Sequence, residues 1–113
     1  ADLERTGLLI RPGLDPKAEH NGHIYAFRVA GSEDFRNAVL DFLKQHGIGA
    51  TFHFVPLHSS PYGQEKMGYR PGDFPITERV SRTLIRLPLY PELTDKEIDF
   101  ILEVLHDAFR HYG

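Results

Sequence analysis

The C-terminal part of the chain, residues 94–109, carries the feature that most constrains the fold. Its first four residues, TDKE, have the spacing of a capping box, in which Thr94 and Glu97 satisfy each other's free backbone amides at a helix start. After this start, apolar residues recur at helical spacing, at Ile98, Ile101, Leu105 and Phe109. A helix with one apolar face must bury that face, so the chain needs a second layer to pack against it.

Two further helices are predicted upstream. Ser32 can cap the first of them, because its hydroxyl can accept a hydrogen bond from a free amide of the first turn, and Gly47 ends it. The apolar stripe of this helix consists of Phe35, Val39, Phe42 and Leu43. The other helix is predicted over residues 74–85, with Pro75 in its first turn.

The remaining apolar segments are short and predict strands. Residues 8–10 suggest an edge strand, and residues 22–29, GHIYAFRV, suggest a strand that shares Tyr25, Phe27 and Val29 on one face. Residues 86–91 contain two prolines and should be extended. Because helices and strands do not alternate regularly, we predict a two-layer α+β domain with helices packed on one face of a short sheet.

Residues 48–55 predict one more strand. Alternation gives one face Ala50, Phe52 and Phe54, and gives the other face Thr51, His53 and Val55. The two phenylalanines make their face the expected core face, so His53 should point away from the core. Pro56 ends the strand, and His58 leads into a long connection, residues 59–73.

Length and composition limit the classes of protein to which this chain can belong. The 113 residues suffice for one compact domain, residues 8–113, preceded by residues 1–7 as the end of an interdomain helix or a linker. The net charge of −3 includes no basic block, so we expect no nucleic-acid partner. No apolar run approaches the roughly 20 residues of a membrane span, so we expect no membrane partner. Zero cysteines exclude disulfides and thiolate zinc sites and fit a cytoplasmic protein.

The seven histidines raise the question of a metal site. His53 and His58 are five residues apart with no acidic residue between them, and no helical His-x-x-x-His pair is present, so we expect no metal. A nucleophile elbow, a phosphate-binding glycine loop and paired carboxylates are also missing from the sequence. The chain therefore has a candidate binding face, on which a purely structural role for these histidines stays open, and no complete catalytic set.

Three segments together resemble the C-terminal small domain of the DegT/DnrJ/EryC1/StrS sugar aminotransferases. They are HIYAFRV (23–29), GIGATFHFVPLHSSPYGQ (47–64) and ITERVSRTLIRLPLYPELTDKEID (76–99), and the likeness spans Leu8 to Phe109. The family signature His-Tyr-x-Pro-Leu-His stands here as residues 53–58, with Phe54 where tyrosine is usual. FHFVPLH and RLPLYPELT look closest to the dTDP-4-amino-4,6-dideoxygalactose (dTDP-4-oxo-6-deoxy-D-glucose) transaminase branch.

The resemblance implies a fold-type-I enzyme that depends on pyridoxal phosphate (PLP). Such an enzyme moves an amino group from glutamate to a dTDP-linked 4-keto-6-deoxy sugar, in lipopolysaccharide or polysaccharide biosynthesis, and is expected to be a homodimer. In the family, the lysine that holds PLP lies in a larger N-terminal domain. The lysines here resemble no such motif: Lys17, Lys44, Lys66 and Lys96. The fragment is therefore expected to lack catalytic residues, to bind no PLP and to be inactive without its own N-terminal PLP domain.

The resemblance also implies a set of substrate-binding residues, namely His53, Phe54, His58 and Arg28. His53 would face the cleft between the two domains, and His58 would lie near the nucleotide sugar. At Phe54, a contact made by a tyrosine hydroxyl in relatives would be missing. Arg28 could bind a carboxylate or phosphate through its guanidinium fork. The alternative is a free-standing ligand-binding or interaction domain without catalysis.

Overall fold

The computed structural model describes residues 2–52 and 55–113. Within these residues the helices are α1 (Asp2–Arg5), α2 (Glu33–Gln45), α3 (Pro61–Glu65), α4 (Pro75–Thr83) and α5 (Asp95–Tyr112). The strands are β1 (Leu9–Ile10), β2 (Tyr25–Val29) and β3 (Leu84–Leu87). One turn of 3-10 helix, Leu57–Ser59, precedes α3. None of the described helices is long and apolar enough to cross a membrane.

The three strands form one antiparallel sheet in the order β1-β2-β3. Phe27 pairs with Ile85 across β2 and β3, and both side chains are almost fully buried. Arg28 is the next residue of β2, so it points to the opposite face, where it pairs with Ile10 of β1 and Leu84 of β3. One face of the sheet is therefore in the core, and the other face is partly open.

Helices α2 and α5 pack together and close the core over the buried face of the sheet. Phe109 of α5 lies at the centre, with its ring centroid 5.6 Å from that of Phe35 in an edge-on arrangement and 6.5 Å from that of Phe27. Val39 and Leu43 of α2 are fully buried in the same cluster. This arrangement confirms the predicted α+β class with a short sheet.

The predicted starts of α2 and α5 are confirmed by their caps. The Phe35 amide donates to Ser32 Oγ at 3.1 Å, and the Glu97 amide donates to Thr94 Oγ1 at 3.2 Å. Only this half of the predicted capping box forms among the described residues, because the Glu97 carboxylate accepts a bond from the Tyr90 hydroxyl at 2.8 Å instead of one from the Thr94 amide. Glu97 therefore ties the extended segment before α5 to that helix. Gly47, which was predicted to end α2, has φ +77°, a left-handed conformation that glycine adopts without penalty.

The strand predicted over residues 48–55 is wrong for the part that the structure describes. Residues 48–52 and 55 contain only an isolated bridge, in which Thr51 and Arg86 exchange backbone hydrogen bonds of 3.1 and 2.7 Å. Phe52 is 49% exposed rather than in the core. The alternation misled the prediction because this ring packs over a guanidinium group, as described below. The predicted positions of His53 and Phe54 lie outside the described residues.

The boundary of α4 also differs from the prediction. The helix ends at Thr83, and residues 84 and 85, which were assigned to it, begin β3. Tertiary packing decides this boundary, since Ile85 is fully buried against Phe27 in the sheet. The predicted long connection is partly helical, because Ser60 caps the short α3 by accepting a bond from the Gly63 amide at 3.1 Å.

Candidate functional site

A cleft of about 400 Å³ lies between the first turns of α2, the residues around Pro56, and α4. We call it the α2–α4 cleft. Four charged side chains from the two helices line it, Glu33 and Arg36 of α2 and Glu78 and Arg82 of α4. The remaining lining includes Phe52, Val55, Pro56, Ser59 and Pro71. The site is therefore a cleft in which four charged side chains lie beside an aromatic and aliphatic wall.

Arg36 joins the two helices at the floor of this cleft. Its side chain is buried, and Nη1 donates to the backbone carbonyls of Ser81 at 3.0 Å and Leu84 at 3.3 Å. A cation suits this place because the carbonyl end of α4 carries a partial negative charge. Burial lowers the pKa of Arg36, and Glu33, whose carboxylate lies 3.5 Å from Nη2, opposes that change. Arg36 thus fixes the end of α4 against α2.

Phe52 forms the aromatic wall. The guanidinium carbon of Arg36 lies 5.7 Å from the centroid of the Phe52 ring, within the range of a cation–π contact. Because Phe52 is half exposed, one side of its ring remains open to the cleft. The pair therefore positions an aromatic surface beside charged groups.

His58 and Glu78 form a buried pair at the other side of the cleft. His58 Nε2 lies 3.0 Å from Oε1 of Glu78, and the two side chains are only 6% and 12% exposed. The Gly72 amide donates to the same oxygen at 2.8 Å. A carboxylate can only accept, so Nε2 of His58 must carry the proton. These bonds, first from His58 and then from Gly72, hold the pKa of Glu78 below its usual value.

An apolar groove of about 590 Å³ adjoins the cleft and shares Val55, Pro56 and Ser81 with it. Its remaining lining residues are Leu57, Ile76, Thr77, Val80 and Leu84. Leu57 is 87% exposed and Ile76 is 69% exposed. Such a cluster of exposed aliphatic side chains is typical of a surface that contacts another protein surface.

Residues 2–106 match the DegT/DnrJ/EryC1/StrS aminotransferase family. The chain belongs to this family. The resemblance noted in the sequence is thereby confirmed at the level of the family, whose members are PLP-dependent aminotransferases. The match covers the sheet, the α2–α4 cleft and most of α5.

Curated relatives show how much of the family's length this chain represents. It is 32% identical over 105 residues to the spore coat polysaccharide biosynthesis protein SpsC of Bacillus subtilis, covering 90% of this chain and 27% of that protein. It is 35% identical over 99 residues to the protein MJ1066 of Methanocaldococcus jannaschii, covering 86% of this chain and 26% of that protein. The chain thus spans about a quarter of the length of these relatives.

Solved structures agree with the fold. The PLP-form of Spr1654 from Streptococcus pneumoniae superposes with a TM-score of 0.84 at 25% identity, over 99% of this chain and 29% of that one. The aminotransferase TlmJ from Streptoalloteichus hindustanus superposes with a TM-score of 0.82 at 22% identity, over 98% of this chain and 29% of that one. The predicted fold class, a small α+β domain of fold-type-I aminotransferases, is confirmed.

The predicted site residues fall into three groups. His58 is buried and reaches the cleft through Glu78. Arg28 is half-buried on the outer face of the sheet and is not among the described residues that line the cleft. His53 and Phe54 lie outside the described residues, between Phe52 and Val55 in sequence. The structure therefore brings one predicted residue to the cleft and leaves Arg28 at a separate place.

Sequence reasoning missed the four charged residues of the cleft. Arg36 carried a usable signal, because it stands three residues before Val39 and seven before Leu43 and so shares their buried stripe. A charged residue on such a stripe needs buried partners. Glu78 carried no local signal, since His58, its partner, is 20 residues away in sequence.

The residues of the cleft do not fit PLP on their own. PLP in aminotransferases is held by a lysine amine, and all four lysines of this chain are exposed and absent from the described lining of the cleft. No three His, Asp or Glu side chains lie together as a metal site within residues 2–52 and 55–113. The expected absence of a metal stays a prediction.

Proposed function

We propose that this chain acts as the C-terminal small domain of a PLP-dependent nucleotide-sugar aminotransferase. The observation that carries the proposal is the family match over residues 2–106 in a chain about a quarter as long as its relatives. PLP, when bound, supplies the electron sink for amino transfer, and we propose that a larger N-terminal domain holds it. The lysines of this chain support the proposal that PLP is held elsewhere, since all four are exposed and none is among the described residues that line the α2–α4 cleft.

The partner of the apolar groove would be that N-terminal PLP domain. Leu57 and Ile76 expose aliphatic surface beside the charged side chains of the α2–α4 cleft, which is the pattern expected where two domains meet around a substrate site. In the complete enzyme, the α2–α4 cleft would then open toward the boundary between the domains. The chain's own contribution would be to exclude water there and to orient the substrate.

For the substrate-binding residues, we propose different roles. His53 and Phe54 would contact the nucleotide sugar, a role that their neighbours Phe52 and Val55 support because both line the cleft. Arg28 would bind a carboxylate or phosphate that approaches the outer face of the sheet. His58 would act indirectly, because Glu78 occupies its Nε2.

The finer substrate assignment is a dTDP-linked 4-keto-6-deoxy sugar, with glutamate as the amino donor and a homodimer as the active form. Its support is the pair of signatures FHFVPLH and LPLYP. The name of SpsC links that protein to spore coat polysaccharide biosynthesis, which is consistent with a role in polysaccharide biosynthesis here. The cytoplasmic location inferred from the absence of cysteine stays a prediction.

The test is to express the complete reading frame that encodes this chain and to incubate it with PLP, glutamate and dTDP-4-keto-6-deoxyglucose. We expect a cofactor absorbance band and formation of 2-oxoglutarate that depends on the sugar. The 113-residue chain alone, as the control, should give neither signal. A complete protein without the band and without turnover would contradict the proposal and favour the free-standing binding or interaction domain.

A further inference from the structure

We propose that Glu78 is a positioning residue that binds both ends of the connection leading from the 3-10 turn to α4, and so holds one wall of the α2–α4 cleft. The contacts of Glu78 with His58 and Gly72 are called the clasp. The connection is defined here as residues 57–73. This inference concerns the chain itself and does not depend on the proposed aminotransferase activity.

The geometry of the clasp is the first argument. One carboxylate oxygen of Glu78 meets His58 Nε2 at 3.0 Å and the Gly72 amide at 2.8 Å. His58 stands at the beginning of the connection, and Gly72 stands at its end. A single side chain of α4 therefore closes the segment into a loop.

The burial of the clasp is the second argument. His58 and Glu78 are both largely removed from water, and the imidazole ring packs against Phe74 with ring centroids 4.8 Å apart. Tyr69 packs edge-on against the ring of Phe74, with ring centroids 5.4 Å apart. Removing one member of a buried pair leaves the other without a partner, which costs more than the loss of an exposed bond. The contact should therefore hold the loop strongly.

The connection is packed internally, which is the third argument. A side-chain carbon at Gly63 would lie 2.8 Å from the carbonyl oxygen of His58, so α3 sits directly on the 3-10 turn. The Tyr69 amide donates to the Gly63 carbonyl at 3.1 Å, which folds the following residues back onto α3. Two members of this unit, Ser59 and Pro71, line the cleft. Moving the unit would therefore move a wall of the cleft.

The charge of Glu78 gives the clasp a pH dependence. The other charged groups facing the cleft beside it are Arg82 of α4 and Glu33 and Arg36 of α2. Because the folded-state pKa of Glu78 is lowered, its stabilisation is complete above the ordinary glutamate pKa of about 4.3. The stabilisation is lost as the pH falls through the lowered value. The clasp should therefore be closed at neutral pH and should open in acid.

The test measures amide hydrogen exchange by NMR in the 113-residue chain. In Glu78→Ala, we expect the protection of the Tyr69 and Gly72 amides to fall about tenfold or more, because the carboxylate loses both its bond to the Gly72 amide and its part-buried contact with His58. The Leu105 amide of α5 should change far less. The matched control is Glu103→Gln, an exposed carboxylate on α5, which should leave all three amides unchanged.

Two further variants keep the proposal falsifiable if Glu78→Ala fails to fold. Glu78→Gln keeps an acceptor for Gly72, so it should lose less protection and should remove the acid dependence of the Tyr69 and Gly72 amides. His58→Gln combined with Glu78→Gln should cost less than the two single losses added together. Unchanged protection of both amides in the single variants, or equal losses in the connection and in α5, would overturn the clasp.

Discussion

The C-terminal half of α2 places Val39 and Leu43 in the apolar core, whereas its first turns place Glu33 and Arg36 in the α2–α4 cleft. The core side is held by aromatic and aliphatic packing around Phe109. The cleft side is held by buried hydrogen bonds to charged groups. One helix thus joins two regions of different character. In the apolar core, a substitution is tolerated when it keeps the volume and apolar character of the side chain. In the cleft, a substitution that removes one hydrogen-bonding partner leaves the other partner unsatisfied.

The largest effect should come from the core side. Phe109→Ala removes a ring that contacts both Phe27 and Phe35, and should lower the free energy of unfolding by about 3–5 kcal/mol. Chemical denaturation followed by circular dichroism measures it. Phe100→Ala on the same helix, at a side chain that is 47% exposed, is the control and should cost less than about 1 kcal/mol. Similar losses in the two variants would mean that α5 does not bury the face described here.

The second-largest loss in the free energy of unfolding should come from the cleft, in the variant Arg36→Met. This change keeps much of the apolar stem but leaves the carbonyls of Ser81 and Leu84 without their donor, at an expected cost of about 2 kcal/mol in the free energy of unfolding. Urea denaturation of Arg110→Met gives the control, since Arg110 is exposed and its ion pair with Asp107 should contribute less than about 1 kcal/mol. If the two changes cost the same, Arg36 does not join α2 to α4.

A smaller effect should follow from Gly63→Ala. The added carbon would press on the backbone carbonyls of Leu57 and His58, which cannot move without shifting the 3-10 turn, and we expect a loss of about 1–2 kcal/mol. Thermal unfolding of Gly49→Ala is the matched control, because a side chain there meets nothing within 4 Å. A Gly63→Ala protein as stable as Gly49→Ala would show that α3 is not packed on the turn.

The smallest expected effect is the acid dependence of stability contributed by Glu78. Because the folded-state pKa of Glu78 is lowered, wild-type stability should begin to fall as the pH drops below the ordinary glutamate pKa of about 4.3, and the contribution of this carboxylate is lost as the pH falls through the lowered value. Glu78→Gln should flatten this part of the curve in urea denaturation between pH 6 and 3. Glu103→Gln should retain the wild-type slope. An unchanged slope in Glu78→Gln would assign the acid sensitivity to other carboxylates.

The core side could be predicted from local patterns, and the cleft side mostly could not. The cap at Thr94 and the helical spacing up to Phe109 located α5, and the alternation of Phe27 and Val29 located the buried face of β2. The strand over residues 48–55 failed because alternation cannot distinguish a ring in the core from one that covers a guanidinium group. The His58–Glu78 pair joins residues far apart in sequence, so only the folded chain reveals it.

The clasp at Glu78 has a consequence for how this segment can vary in length. When the two ends of a loop are held together, lengthening the loop costs only closure entropy, about 0.6 kcal/mol for each doubling. Gly68 is exposed and lies between the two anchored ends. Residues inserted there would lengthen the loop while its two anchors, and the wall of the cleft that they hold, keep their positions. A flexible insertion at Gly68 is therefore a practical place to attach a reporter group beside the cleft.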